Sequence, residues 1–160
     1  MKLTRRQLRK LILNEIASSF EQELTTGYGV NIIDANKDIR NHGIIPVVNA
    51  AIHTAWNEIN GETSWNNDEE KNKVEKQINQ FGEIAHDMLI DLIAKKAELA
   101  EKGDVSPLPS KNDFLSEVGD RHLKFNKEIV RLDKNSWPFK VISTILDQVS
   151  KHYSIPIDDR

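Results

Sequence analysis

The side chains best able to do chemistry in this chain are its histidines. There are five, His42, His53, His86, His122 and His152, and there is no cysteine. The missing thiols exclude disulfides, a thiolate nucleophile and a zinc site of the cysteine type, and they suit a reducing compartment. His86 is followed directly by Asp87, His53 lies upstream, and Asp120 and Asp147 lie downstream. Neutral imidazoles and a carboxylate converging on one point could hold a divalent cation and activate a water molecule. A second acidic set, Glu69, Glu70, Glu83 and Asp87, falls within one stretch. Gly27-Tyr28-Gly29 is not a phosphate loop, because no Gly-Lys-Ser/Thr follows it and no clear strand precedes it.

The order His53, then His86-Asp87, then Asp120 or Asp147 is similar to the ligand order of HD-domain phosphohydrolases, which are also all-helical. That resemblance implies a metal held by His53, His86 and Asp87 and a phosphate substrate. On a helical wheel His86 borders an apolar face, Asp87 points largely away from it, and His53 lies on the polar side of its own helix. The three are therefore carried as an alternative site, with no metal, cofactor or catalytic residue in the leading reading. The acidic set resembles the magnesium clusters of helical nucleotide pyrophosphohydrolases, but the residue three positions after Glu83 is His86, where that pattern wants Asp.

The most distinctive segment is the start, MKLTRRQLRKLILNE. Lys2, Arg5, Arg6, Arg9 and Lys10 against Glu15 give residues 1–15 a charge of +4, and the remaining 17 basic and 24 acidic side chains give −7. At 100° per residue Arg5, Arg6, Arg9 and Lys10 gather on one side, and Leu8, Leu11 and Ile12 on another. Such a basic amphipathic helix can dock on an acidic protein, an anionic surface or nucleic-acid phosphates. The acidic remainder disfavours nucleic acid as a partner of the whole surface and favours another protein subunit. Residues 1–15 resemble the basic start shared by many tailed-phage proteins, marine ones especially. They are also similar to capsid-targeting leaders of T-even-type internal head proteins, which are cut after an aliphatic-x-Glu sequence matched here by Leu13-Asn14-Glu15. These resemblances imply a location in an infected host's cytoplasm or in a virion.

The elements that must position these residues read as helices. Thr4-x-x-Gln7 is a capping box, and Leu8, Ile12, Ile16, Phe20 and Leu24 recur at intervals of four, so a basic N-terminal helix over 1–26 is expected to stop at Gly27 and to project. Residues 25–33 (TTGYGVNII) read as a loop or short edge strand, and Asp34 as the cap of a short helix ending near Gly43. Pro46 opens a helix with Val48, Ile52, Ala55 and Ile59 on one face. A polar connection over 64–67 follows, and it makes Trp65 the best candidate for an exposed contact with a partner. The strongest prediction is one helix over about 68–102, whose face carries Val74, Ile78, Phe81, Ala85, Met88, Leu92 and Leu99. Asp68, Glu69 and Glu70 sit at its dipole-favoured start. A Pro-containing connector over 104–110, a helix over about 113–133 weakened by Gly119, a last helix capped by Ser136, and an exposed tail from Ser154 complete the pattern.

The 160 residues with 38% hydrophobic and 29% charged side chains suit one domain with long solvated helical faces. No run of about 18 apolar residues could span a membrane, and Asn14 and Glu15 break the only candidate signal-peptide core. The sequence thus predicts an all-α bundle of five or six helices around the 68–102 helix, with a helical domain over 27–160. It also predicts a non-enzymatic interaction protein, a virion-associated component of a tailed phage. Its partner-binding residues would be Arg5, Arg6, Leu8, Arg9, Lys10, Leu11, Ile12 and Trp65.

Overall fold

A computed structural model describes residues 20–158, with side chains from Asn31 onward. Over the described residues the chain is all-helical: α1 Phe20–His42, α2 Ile45–Glu62, α3 Asp68–Glu101, α4 Lys111–Asn126 and α5 Trp137–Tyr153. No helix among them is long and apolar enough to cross a membrane. Residues 1–15, and with them the predicted partner contacts Arg5, Arg6, Leu8, Arg9, Lys10, Leu11 and Ile12, lie outside the described residues.

The long helix α3 forms as its local signals require. Asn67 caps it, its side chain accepting from the Glu70 N–H at 2.8 Å, and three acidic residues occupy the first turn. The buried stripe follows the predicted face through Ile78, Phe81, Ala85 and Met88 and then turns. Leu89, Ile93, Ala97 and Ala100 are buried, while Leu92 and Leu99 are half-buried. Steps of four overshoot the 3.6-residue turn by about 40° each, so the stripe rotates from the side facing α2, α4 and α5 toward α1, which packs along α3.

Helix α1 corrects the expected stop at Gly27 and the predicted loop over 25–33, since the helix passes through both to His42. Once a helix is nucleated, each further residue costs little, and Gly in a helix interior costs only about 1 kcal/mol. Burial of Ile32, Ala35 and Ile39 at one end outweighs that, at about 1.5–3 kcal/mol per large aliphatic side chain. The predicted stop near Gly43 holds: Gly43 adopts φ +79° and its N–H donates to the Ile39 carbonyl at 2.7 Å.

Helix α4 starts at Lys111, capped by Ser110, whose Oγ accepts from the Asp113 N–H at 3.1 Å. It ends at Asn126, seven residues before the predicted end at 133. Lys127 takes the left-handed conformation at φ 55°, and the chain then folds back. The reason lies in Gly119. A Cβ there would stand 2.8 Å from Leu132 Cδ1, so the residue read as a weak point of a longer helix is the seat on which the returning segment packs.

Helix α5 sits against α2, α3 and α4, and Val141, Ile142, Ile145, Leu146 and Val149 are all fully buried. Beyond it residues 155–158 of the tail are buried or half-buried, where the sequence reading expects an exposed tail. Ile155 is 1% exposed, and a parallel bridge joins Leu108 to Ile157. In that bridge the Leu108 N–H donates to the Pro156 carbonyl at 2.9 Å and the Asp158 N–H to the Leu108 carbonyl at 2.8 Å. The extended connector leaves backbone groups that a helix would have satisfied, and the tail supplies their partners.

Candidate docking groove

Among the described residues, a concavity lies where four elements meet at one end of the bundle. The last turn of α2, the 63–67 connection, the first three turns of α3 and the return segment leading into α5 enclose a groove of about 460 Å³. Its apolar lining includes Ile59, Val74, Ile129, Val130, Trp65 and Trp137. Polar atoms reach it from Glu62, Glu70, Gln77, Arg131 and Lys140.

Each of these side chains is placed by a local feature. The Trp65 indole N–H donates to Asn60 Oδ1 at 2.9 Å, and its ring lies 5.9 Å from that of Trp56, tilted by 31°. Trp137, at the first position of α5, meets Phe81 edge-on at 5.4 Å, the geometry the ring quadrupoles favour. The Asn66 N–H donates to Glu70 Oε2 at 3.1 Å, so Glu70 holds the residue before the cap with its side chain while its own N–H donates to Asn67. Lys140 ion-pairs with Glu62 and stands 4.0 Å from Glu58. Arg131 pairs with Asp133 at 2.7 Å. Gln77 donates to Glu128, which ties the return segment to α3. Phe125 in the last turn of α4 and Ile129 of the groove lining are 66% and 84% exposed, a high exposure for large apolar side chains so close together in sequence.

Trp65 is therefore at the groove, half-buried and with its N–H satisfied, rather than standing free in a polar connection. The alternative metal set does not assemble. His53 is exposed and borders a hollow with Trp56 and Glu75. His86 borders a different hollow with Ile45, Gly82 and Glu83. Its Nδ1 lies 2.9 Å from Asp87 Oδ1, a contact between sequence neighbours that draws Asp87 toward one histidine only. Asp147 is engaged by Lys111 at 2.9 Å. Among the described residues, no three His, Asp or Glu side chains are placed to hold a metal ion.

Three groups are shifted electrostatically. Burial lowers the His122 pKa below 6.5, partly opposed by the Glu128 charge. Burial also lowers that of Lys96, against the pull of Asp104 and Asp158; its ammonium donates to Ser106 Oγ at 2.8 Å. The Tyr153 hydroxyl is pushed up to about 12 by burial and then by Asp38, to which it donates. None of the three lines the groove.

The sequence reading missed Glu62, Glu70, Arg131, Trp137 and Lys140 as neighbours of Trp65. The Asn67-x-x-Glu70 spacing is a legible cap and would have placed Glu70, but the other four come together only through tertiary packing. What the arrangement offers chemically is an apolar trough with a charged rim, suited to holding a side chain or a short segment of a partner. No family model, no curated protein and no solved structure matches this chain.

Proposed function

We propose that this chain is a non-enzymatic interaction protein, a component of a tailed-phage assembly, that docks on an acidic protein surface through residues 1–15. One observation carries the reading: the charge is segregated, +4 in residues 1–15 against −7 in the rest of the chain. A short segment with four like charges on one side is marginal as a free helix. It gains order when an acidic partner lowers the repulsion and covers Leu8, Leu11 and Ile12. The phage assignment rests on the resemblance of that segment to tailed-phage protein starts. The groove around Trp65 and the exposed Phe125 and Ile129 provide contact surface of the kind assemblies use. The phosphohydrolase alternative gains nothing from the geometry of His53, His86 and Asp87, and the acidic body disfavours nucleic acid.

The test is deletion of residues 1–15, followed by thermal melting and a co-assembly or pull-down assay. The expected result is a nearly unchanged melting temperature with association lost. Collapse of the fold on deletion, with association indifferent to charge reversal at Arg5 and Arg9, would make the segment an ordinary first helix of the core.

A further inference from the structure

The segment that returns from α4 to α5 is attached by side chains alone. Among the described residues, none of 128–132 shares a backbone–backbone hydrogen bond. Such bonds stop where the Lys127 N–H donates to the Leu123 carbonyl at 2.9 Å, and resume where the Ser136 N–H donates to the Asp133 carbonyl at 3.0 Å. The ties to the bundle are Leu132 against Gly119, the half-buried Val130 in the groove, and Glu128. The Glu128 carboxylate accepts from Gln77 and stands 4.0 Å from Lys73, both on α3. At the head of the segment Lys127 is held at φ 55°, a conformation that side chains disfavour. Segments fixed in this way are the first to open.

His122 lies along its path. The segment leaves α4 at Lys127 and sets Leu132 on Gly119, about two turns back, so it passes the level of His122 between them. The imidazole is fully buried. Phe81 of α3 meets it edge-on, and Trp137 of α5 lies on the far side of Phe81. Asn126 Nδ2 donates to His122 Nδ1 at 3.1 Å, so the neutral ring carries its proton on Nε2, which has no partner. A second proton would sit on Nδ1 and face the amide's own hydrogens. Among the charged groups of the described residues, Glu128 is the one that acts on the ring, and it is already shared by Gln77 and Lys73. The closed arrangement therefore has a place for the neutral ring and none for the imidazolium.

We infer that His122 is a proton-operated latch, whose protonation releases residues 127–132 from α3 and α4 and opens the groove along its Ile129–Arg131 wall. In the released state water reaches both ring nitrogens, and Asn126 no longer faces a second donor. Release also takes Val130 and Leu132 off their seats, next to Phe125 and Ile129, which are exposed already. Mildly acidic conditions thus give this end of the molecule a larger apolar contact surface. Burial weakens the ring's hold on a proton in the closed state, and exposure restores it. The open fraction therefore grows by up to about tenfold per pH unit as pH falls below about 6.5, until the closed state also takes the proton.

The chain has no cysteine, so spin labels can be placed in the full chain at Asn72→Cys on α3 and Ile129→Cys on the segment, both exposed positions. Pulsed electron paramagnetic resonance should give one short separation at pH 7.5 and a second, longer one at pH 5.5, with helical circular dichroism unchanged. Across the same series the His122 ring resonance should titrate with the midpoint of the distance change. His122→Leu should keep the pH 7.5 distances at pH 5.5; if that variant fails to fold, the coincidence of the two midpoints in the histidine-bearing chain decides. A separation that does not change between pH 7.5 and 5.5 overturns the latch. So does a change that persists in His122→Leu, or a pair of midpoints that differ. Helix loss in step with the distance change overturns it too, because the event would then be unfolding of the whole bundle.

Discussion

Gly82 and Gly61 are two helical glycines with opposite surroundings. A Cβ at Gly82 would lie 2.3 Å from Ile52 Cδ1 and 2.9 Å from its Cγ1, so the bare backbone is what lets α2 cross α3 closely. At Gly61 nothing lies within 4 Å. Gly82→Ala should therefore destabilise the fold, because displacing a packed side chain costs about 1–3 kcal/mol against a helix-propensity gain of at most about 1 kcal/mol. Gly61→Ala should stabilise it by about 0.5–1 kcal/mol; denaturant midpoints of the two variants should move in opposite directions. His122 gives a second expectation at this scale. It is fully buried, its Nε2 has no partner, its Nδ1 faces Asn126, and its ring meets Phe81 edge-on at 5.4 Å. Since its folded pKa is below 6.5, the unfolded chain binds the extra proton, and stability falls as pH drops from about 6.5 toward the folded value. Melting temperature against pH should show that loss, and His122→Leu should reduce it. An identical pH slope in the variant would show that other groups govern acid sensitivity.

Among the elements, α3 was the most legible, because cap, dipole charges and periodicity agree there and all are local. Phe81, on its predicted face, is fully buried between His122 and Trp137. Phe81→Ala should cost about 3–5 kcal/mol, readable as a shift in the denaturant midpoint with little change in slope. What was not legible has a common cause. Gly27 and Gly119 carry the same local signal as Gly43, yet only Gly43 ends a helix, at φ +79°. Whether a glycine stops a helix, bears a neighbour or merely sits inside depends on what packs on it, and Leu132 cannot be seen from Gly119 in sequence. The groove was illegible for the same reason. Trp65 was named as a contact residue, but Lys140 and Glu62 are 78 positions apart and only the packing of α5 on α2 joins them.

At the scale of the whole molecule, the two ends of the described chain hold each other. Asn31 reaches Ser154 and Asp38 reaches Tyr153 across 123 and 115 positions, and Ile155 of the tail is buried. Ile155→Ala should cost about 2–5 kcal/mol, the range for emptying a buried aliphatic site, although the residue lies in a segment that reads as a loose end. A calorimetric melt would register this as a lowered transition of the entire bundle; a local fraying that leaves the main transition untouched would mean that the tail is a separate cooperative unit.

The bridge between Leu108 and Ile157 has a consequence in time as well as in space. A ribosome delivers Leu108 some fifty residues before Ile157, at about 5–20 residues per second. For those seconds the connector after α3 has unpaired backbone groups, and the apolar side of α3 that α5 will cover stands open. The nascent bundle is thus complete only when the last described residues have cleared the exit tunnel. Quality-control proteases should accordingly discriminate sharply between chains that include residues 155–158 and those that stop short of Ile155.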